Sequence, residues 1–149
     1  LATYSAQNVG AGKIKRIRDG FKSATLISFA YAIVTGVLIA TVGKHLTVLF
    51  LSGDLTNILG SVYIYLKCVG VFFIPLTVVN LYRNGIQGMG FGLLPMMAGI
   101  AELVGRGVTA IVASRYKSYF GICMASPVAW ILASLLLIAM YFYIIKKKL

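Results

Sequence analysis

Twenty consecutive residues, Ser23 to Val42, carry no charged side chain. A helix of that length rises about 30 Å, which matches the hydrocarbon thickness of a bilayer. Three further apolar stretches follow: Val62 to Tyr82, Phe91 to Ala113 and Phe120 to Ile145. In lipid the backbone must satisfy its own polar groups, so segments of this kind are helices. The connections between them are short, which predicts antiparallel neighbours. The turn-like sequence SGDLTN introduces the second span. No internal repeat, soluble domain or long linker interrupts the chain. The predicted fold is all-α and integral to the membrane, with four transmembrane helices.

Composition gives the same answer. Hydrophobic residues make up 60% of the 149, and charged residues only 11%, against about a quarter in soluble domains. The acids are Asp19, Asp54 and Glu102. So little polar surface cannot cover a water-soluble globule.

The formal net charge of +11 does not point to nucleic acid, because the cations gather at the ends of apolar runs instead of forming one basic face. If the segment before the first span is cytoplasmic, that side holds Lys13, Lys15, Arg16, Arg18, Lys22, Arg83, Lys146, Lys147 and Lys148. The other side holds Lys44, Lys67, Arg115 and Lys117. Nine against four places both ends of the chain in the cytoplasm. Tyr116, Tyr119 and Phe120 mark one end of the last span, and Tyr141, Phe142 and Tyr143 the other. Lys67 sits one to two turns inside the second span, where its stem can snorkel outward.

Within the spans, polar and small residues set the packing and the chemistry. Ala24, Ser28, Ala32, Gly36 and Ala40 recur every four residues and form a small-residue seam, more simply a packing surface than a ligand groove. Pro75 kinks the second span, with Thr77 and Asn80 beside it. Such a helix can line a cavity or form a hinge, or it can merely accommodate packing. Glu102 and Arg106 stand at i and i+4 on one face, continued by Gly99, Thr109 and Ala113. The preferred reading is a structural ion pair, and a role in ion coupling is the alternative. Cys123, Ser126, Trp130 and Ser134 share a face of the last span, near Pro127. Trp130 reads as an internal packing residue, with a platform for a flat cation as its second reading.

Other chemistry has no residues to carry it. Cys68 and Cys123 lie in apolar runs without metal-like spacing. His45 stands beside Lys44 as an interfacial residue. No cleavable signal pattern opens the chain. No serine–histidine–acid set, metal cluster or phosphate loop is present, so the chain reads as no enzyme and needs no cofactor.

The opening residues remain. Leu1 to Val9 reads as the end of a helix, with Gly10 and Gly12 supplying left-handed geometry after it. The stretch AQNVGAGKIKRIRDG, containing Gln7, Asn8, Gly10, Ala11 and Gly12, resembles the QN-x-GAG-then-basic signature of the multidrug and toxic compound extrusion (MATE) transporters. YIYLKCVGVFFIP, the turn NGIQGMG with Gly85, Gln87 and Gly88, and PVAWILASLLL fit the same family. The resemblance covers nearly the whole chain.

It implies a twelve-helix, two-lobe antiporter around a central cavity, exporting small organic cations in exchange for sodium ions or protons. This chain resembles its C-terminal portion: the end of the eighth helix at residues 1–12, then helices nine to twelve. The upstream half of the same transporter is then a required partner, together with membrane lipid. Residues expected at the cavity are Pro75, Thr77, Asn80 and Trp130. Some members place an acidic cation ligand near the position of Thr77, and IPLTVVNLY has no acid there. Many relatives instead carry the essential acid in the first lobe. The alternative is a complete small four-helix membrane protein that acts as a structural or oligomeric exporter subunit. A start at Leu1 and an orphan helix end speak against it.

The orientation is testable by cysteine accessibility in intact cells. Cysteines introduced near Lys15 and Gly90 are expected to be protected from an impermeant reagent, and one near Asp54 to be labelled. The reverse pattern would invert the topology.

Overall fold

The structure is a computed structural model that describes residues 1–50 and 56–147, with residues 44–50 and 56–58 described as helical backbone alone. Asp54 and Lys148, and the side chains of Lys44 and His45, lie outside the described residues. The helices are α1 (Ala2–Gly10), α2 (Ile14–Phe50), α3 (Thr56–Val71), α4 (Phe73–Gly88), α5 (Leu93–Arg115), α6 (Tyr119–Cys123) and α7 (Ala125–Lys147). No strand occurs among the described residues. Three segments are long and apolar enough to cross a membrane: Ile14–Gly43, Leu93–Arg115 and Tyr119–Lys147. A fourth arises if the bent pair α3–α4 counts as one span. The outward faces of α2 and α5 are apolar, with Leu26, Ile27, Leu93 and Leu103 each more than two-thirds exposed. This is a multi-pass membrane bundle.

The helix boundaries depart from the sequence expectations in instructive ways. The first apolar run is the middle of a longer helix that also includes the basic segment from Ile14 onward. Helix is predicted to Val9, and α1 runs to Gly10. The second span is not one helix kinked at Pro75. It breaks at Phe72, and the two halves meet at 49°. The last span is interrupted at Met124, between α6 and α7, yet Tyr119–Lys147 still counts as one span. The third begins at Leu93 instead of Phe91.

Proline explains three of these starts. The chain has three prolines, and Pro75, Pro95 and Pro127 each occupy the third position of a helix, α4, α5 and α7. There the missing N–H is one that the first turn leaves unpaired anyway. The ring clashes with the carbonyl four residues earlier, so the break falls just before the proline.

The turns share a second device. After α1, the amide of Gly12 donates to Val9 (3.0 Å) and that of Lys13 to Asn8 (2.8 Å), with Gly12 at φ +65°. After α4, Gly90 donates to Gln87 and Phe91 to Ile86, with Gly90 at φ +92°. After α5, Lys117 donates to Ser114 and Ser118 to Ala113, with Lys117 at φ +48°. Each is a Schellman closure around one left-handed residue. Gly12 alone supplies that geometry in the first turn, whereas Gly10 stays helical. Ser118 then caps α6 by accepting from the Gly121 amide (3.1 Å).

Packing runs over small residues, since lipid supplies little hydrophobic drive between helices. The expected seam on α2 meets α3 at Gly36: a Cβ there would stand 2.6 Å from the carbonyl oxygen of Gly70. Ala32 and Gly36 are buried. On α4, a Cβ at Gly88 would stand 2.6 Å from Cα of Ala2, so α1 touches α4 backbone to backbone. The deepest core gathers Ile17 and Phe21 of α2, Val79 and Ile86 of α4, and Leu137 and Ile144 of α7.

Gly88→Ala is therefore expected to destabilise by about 2 kcal/mol, since the obstructing atoms are backbone and cannot turn aside. Gly107→Ala, with open space around it, should be neutral or gain helix stability. Thermal midpoints of the two purified variants check this, and equal midpoints would remove the α1–α4 contact from the account.

Candidate functional site

The break at Phe72 rotates α4 away from α3 and opens a groove of about 530 Å³ between α1, α2 and α4. Its polar lining comes from Thr3, Ser28, Tyr31, Thr77, Asn80 and Asn84. Thr77, Asn80 and Asn84 lie at three- and four-residue spacing, so they form one stripe on α4. Each donates backward to its own helix: Thr77 Oγ1 to the carbonyl of Ile74 (2.8 Å), Asn80 Nδ2 to Leu76 (3.1 Å) and Asn84 Nδ2 to Asn80 (2.8 Å). These bonds use the Thr77 hydroxyl hydrogen and one of the two amide hydrogens of each asparagine, so the stripe keeps its three side-chain oxygens as free acceptors beside one N–H on each amide. The groove wall is therefore acceptor-rich.

Two of the four expected cavity residues, Thr77 and Asn80, line this groove. Pro75 does not line it; its part is to set the break that shapes it. Trp130 lies elsewhere, buried on α7 beside Ala129 and Ala133. Ser134 on the same face returns its hydroxyl to the carbonyl of Ile131 (2.8 Å).

Glu102 lies about 14 Å along α5 from its start, by the helical rise, near the middle of a span. Its Oε1 accepts from Arg106 at 2.9 Å, as the i, i+4 spacing predicts, and its Oε2 accepts from Arg83 of α4 at 3.0 Å. Arg83 was expected only as a charge at the cytoplasmic end. The signal available in the sequence was that a lone acid faced an unpaired arginine on the neighbouring helix. The expected stripe also divides: Ala113 is buried, Gly99 and Thr109 are half-buried and Arg106 is half-exposed, whereas the buried Gly105 lies off it. The buried face of α5 centres on Gly105, where an added Cβ would lie 3.6 Å from Cα of Ala129. The carboxylate thus ties α4 to α5, and the three charges sum to +1.

The signature residues form a structural joint. Asn8 is buried and donates through Nδ2 to the Tyr4 carbonyl (2.8 Å). Ala11 follows the last turn of α1, and Gln7 and Gln87 are exposed. Gly85 makes room for the Phe21 ring, whose Cε1 would be 2.8 Å from a Cβ there. The Tyr4 ring covers Gly20, and its hydroxyl donates to the Arg16 carbonyl (2.9 Å). Residues on either side of the opening signature, Ala2 and Phe21, therefore pack on the glycines of NGIQGMG. Both cysteines are buried and free. Among the described residues no three potential metal ligands gather.

Comparison with known proteins gives one match. The family model described as MatE matches residues 1–112, which includes α1 to α4, the groove and Glu102. No curated protein and no solved structure matches the chain.

The three-charge bridge predicts an order of stabilities. Glu102→Gln leaves two guanidinium groups facing each other and should cost on the order of 3 kcal/mol. Arg106→Gln keeps the α4–α5 bond and should cost under about 1 kcal/mol. Adding Arg106→Gln to Glu102→Gln should recover only part of the loss, because Arg83 stays without an acid. Membrane abundance and thermal midpoint of the three variants check this, and equal losses from the two single changes would show that Arg83 contributes nothing.

Proposed function

The chain belongs to the MatE family of membrane efflux transporters, and from that membership we propose that it forms the C-terminal part of a cation-coupled antiporter for small organic cations. The family works with ion gradients and needs no prosthetic group. The supporting observation is the acceptor-rich groove. Organic cations carry N–H donors or a diffuse positive charge, and both favour a wall of uncommitted oxygens backed by apolar surface. Phe73, Leu76 and Leu81 supply that apolar backing, and Tyr31 an aromatic face, which suits a flat or quaternary cation.

In this reading α4 carries substrate selectivity, and the upstream half of the transporter completes the cavity. The coupling ion is sodium or a proton, and the acid that binds it lies in that upstream half. Glu102 serves the bundle: a cluster of net charge +1 repels a sodium ion instead of holding one. The cytoplasmic placement of both ends belongs to the same reading and is supported by the excess of lysine and arginine there.

Removing an acceptor that a bound cation uses costs about 1–3 kcal/mol. Asn80→Leu in the full-length transporter is thus expected to raise the half-saturating concentration of a cationic dye about tenfold, with abundance unchanged. Thr77→Val should act in the same direction. Vesicle efflux assays with quantified protein measure both, and unaltered transport in the double variant would remove the groove from the substrate path.

A further inference from the structure

A second concavity lies on the other side of the α2–α4 pair. It is a cleft of about 760 Å³ between α2 and α7, floored by Tyr82 of α4. Its walls are apolar: Phe21 and Leu26 from α2, and Tyr141, Phe142 and Ile145 from α7. Phe21, Tyr82 and Tyr141 form an aromatic cluster with ring centroids 4.3 to 5.4 Å apart, Tyr82 meeting the other two edge-on. Leu26 and Phe142 are largely exposed, so the cleft is open at its side.

Its rim is cationic. Arg18 and Lys22 are four residues apart on α2 and share a face, and Lys146 joins them from the last turn of α7. Among the described residues no carboxylate lines the cleft. Among the described residues none of the three cations has an ion-pair partner, because the ion pairs found there all belong to Glu102. Three like charges converging on an apolar cleft repel each other, and an anion between them reverses the sign of that interaction. The long side chains can lie over the cleft while their heads stay in the interfacial layer. An apolar, laterally open slot under a basic rim at the end of two spans has the chemistry of an anionic lipid site.

We propose that this cleft binds an anionic phospholipid, its phosphate held by Arg18, Lys22 and Lys146 and an acyl chain lying along Leu26 and Phe142. The site is separate from the acceptor-rich groove, and its occupancy does not depend on which compound is exported.

The test uses the full-length transporter in nanodiscs, with phosphatidylglycerol or phosphatidylcholine as probe. Lipid retained after delipidation is counted by native mass spectrometry, and the thermal midpoint is read in parallel. Phosphatidylglycerol is expected to be retained and to raise the midpoint, and phosphatidylcholine to do neither. The triple change Arg18→Gln, Lys22→Gln and Lys146→Gln should weaken phosphatidylglycerol binding on the order of a hundredfold. Neutralising Lys13, Lys15 and Arg16, which removes the same number of charges just before and at the start of α2 but outside the cleft, should leave it nearly intact. Thr25→Trp, which fills the cleft and keeps every cation, should abolish retention and decides the matter if the triple variant does not fold. Equal retention of the two lipids would overturn the proposal, as would equal loss in the control trio. So would an equal midpoint rise with glycerol 3-phosphate, or undiminished retention in Thr25→Trp.

Discussion

Close backbone approach at small residues is the condition on which this bundle depends. Between helices in lipid the hydrophobic effect is nearly absent, so contact area and polar links must supply cohesion. Gly36 and Gly70 bring α2 and α3 together, Gly88 brings α4 against α1, and Gly105 brings α5 against α7. Where a large residue intrudes, a glycine receives it: the Phe21 ring occupies the space that Gly85 leaves. That one contact fixes the rotation of α4. With Gly85, Ile86 and Val79 turned toward the core, Thr77, Asn80 and Asn84 must face the opposite side, which is the groove.

The polar links then act where packing is thinnest. α4 and α5 are joined by a tight turn, yet α5 buries its small-residue face against α7 instead. Glu102, accepting from Arg83 and Arg106, is what ties α5 back to α4. A carboxylate at that depth is costly alone, and two guanidinium groups make it affordable. Its role follows from which helices it connects, and the i, i+4 pair within α5 is only half of it.

The sequence made the helices legible because the physics that decides them is local. An uncharged run of bilayer length, a basic flank and a proline each act within a few residues. The small-residue seam on α2 was visible for the same reason. The partner of a seam is a different matter: nothing in the spacing of Gly36 identifies Gly70 on the next helix. Arg83 was missed on the same ground, since a charge at a helix end reads as topology until the neighbouring helix is placed. Pro75 was read as the kink, but its clash acts on the preceding turn, so the bend sits at Phe72. Of the residues named as cavity candidates, Thr77 and Asn80, singled out by polarity within an apolar helix, line the groove. Asn84, one turn further along the same stripe, was absorbed into the signature turn, and Trp130 packs inside α7.

The two concavities divide one helix pair between them. Ser28 and Tyr31 of α2 and the asparagines of α4 line the groove, whereas Thr25 and Leu26 of α2 and Tyr82 of α4 line the cleft. Phe21, seated on Gly85, stands at the seam and belongs to the core that separates them. A helix pair so arranged gathers polar side chains at one concavity and aromatic rings with a cationic rim at the other. The same rotation of α4 serves both faces, and it is set by the absence of a side chain at Gly85 and Gly88. This gives the glycine-bearing turn NGIQGMG a physical reason to accompany the opening signature: the signature ends α1 and launches α2 so that Ala2 and Phe21 arrive at those two glycines.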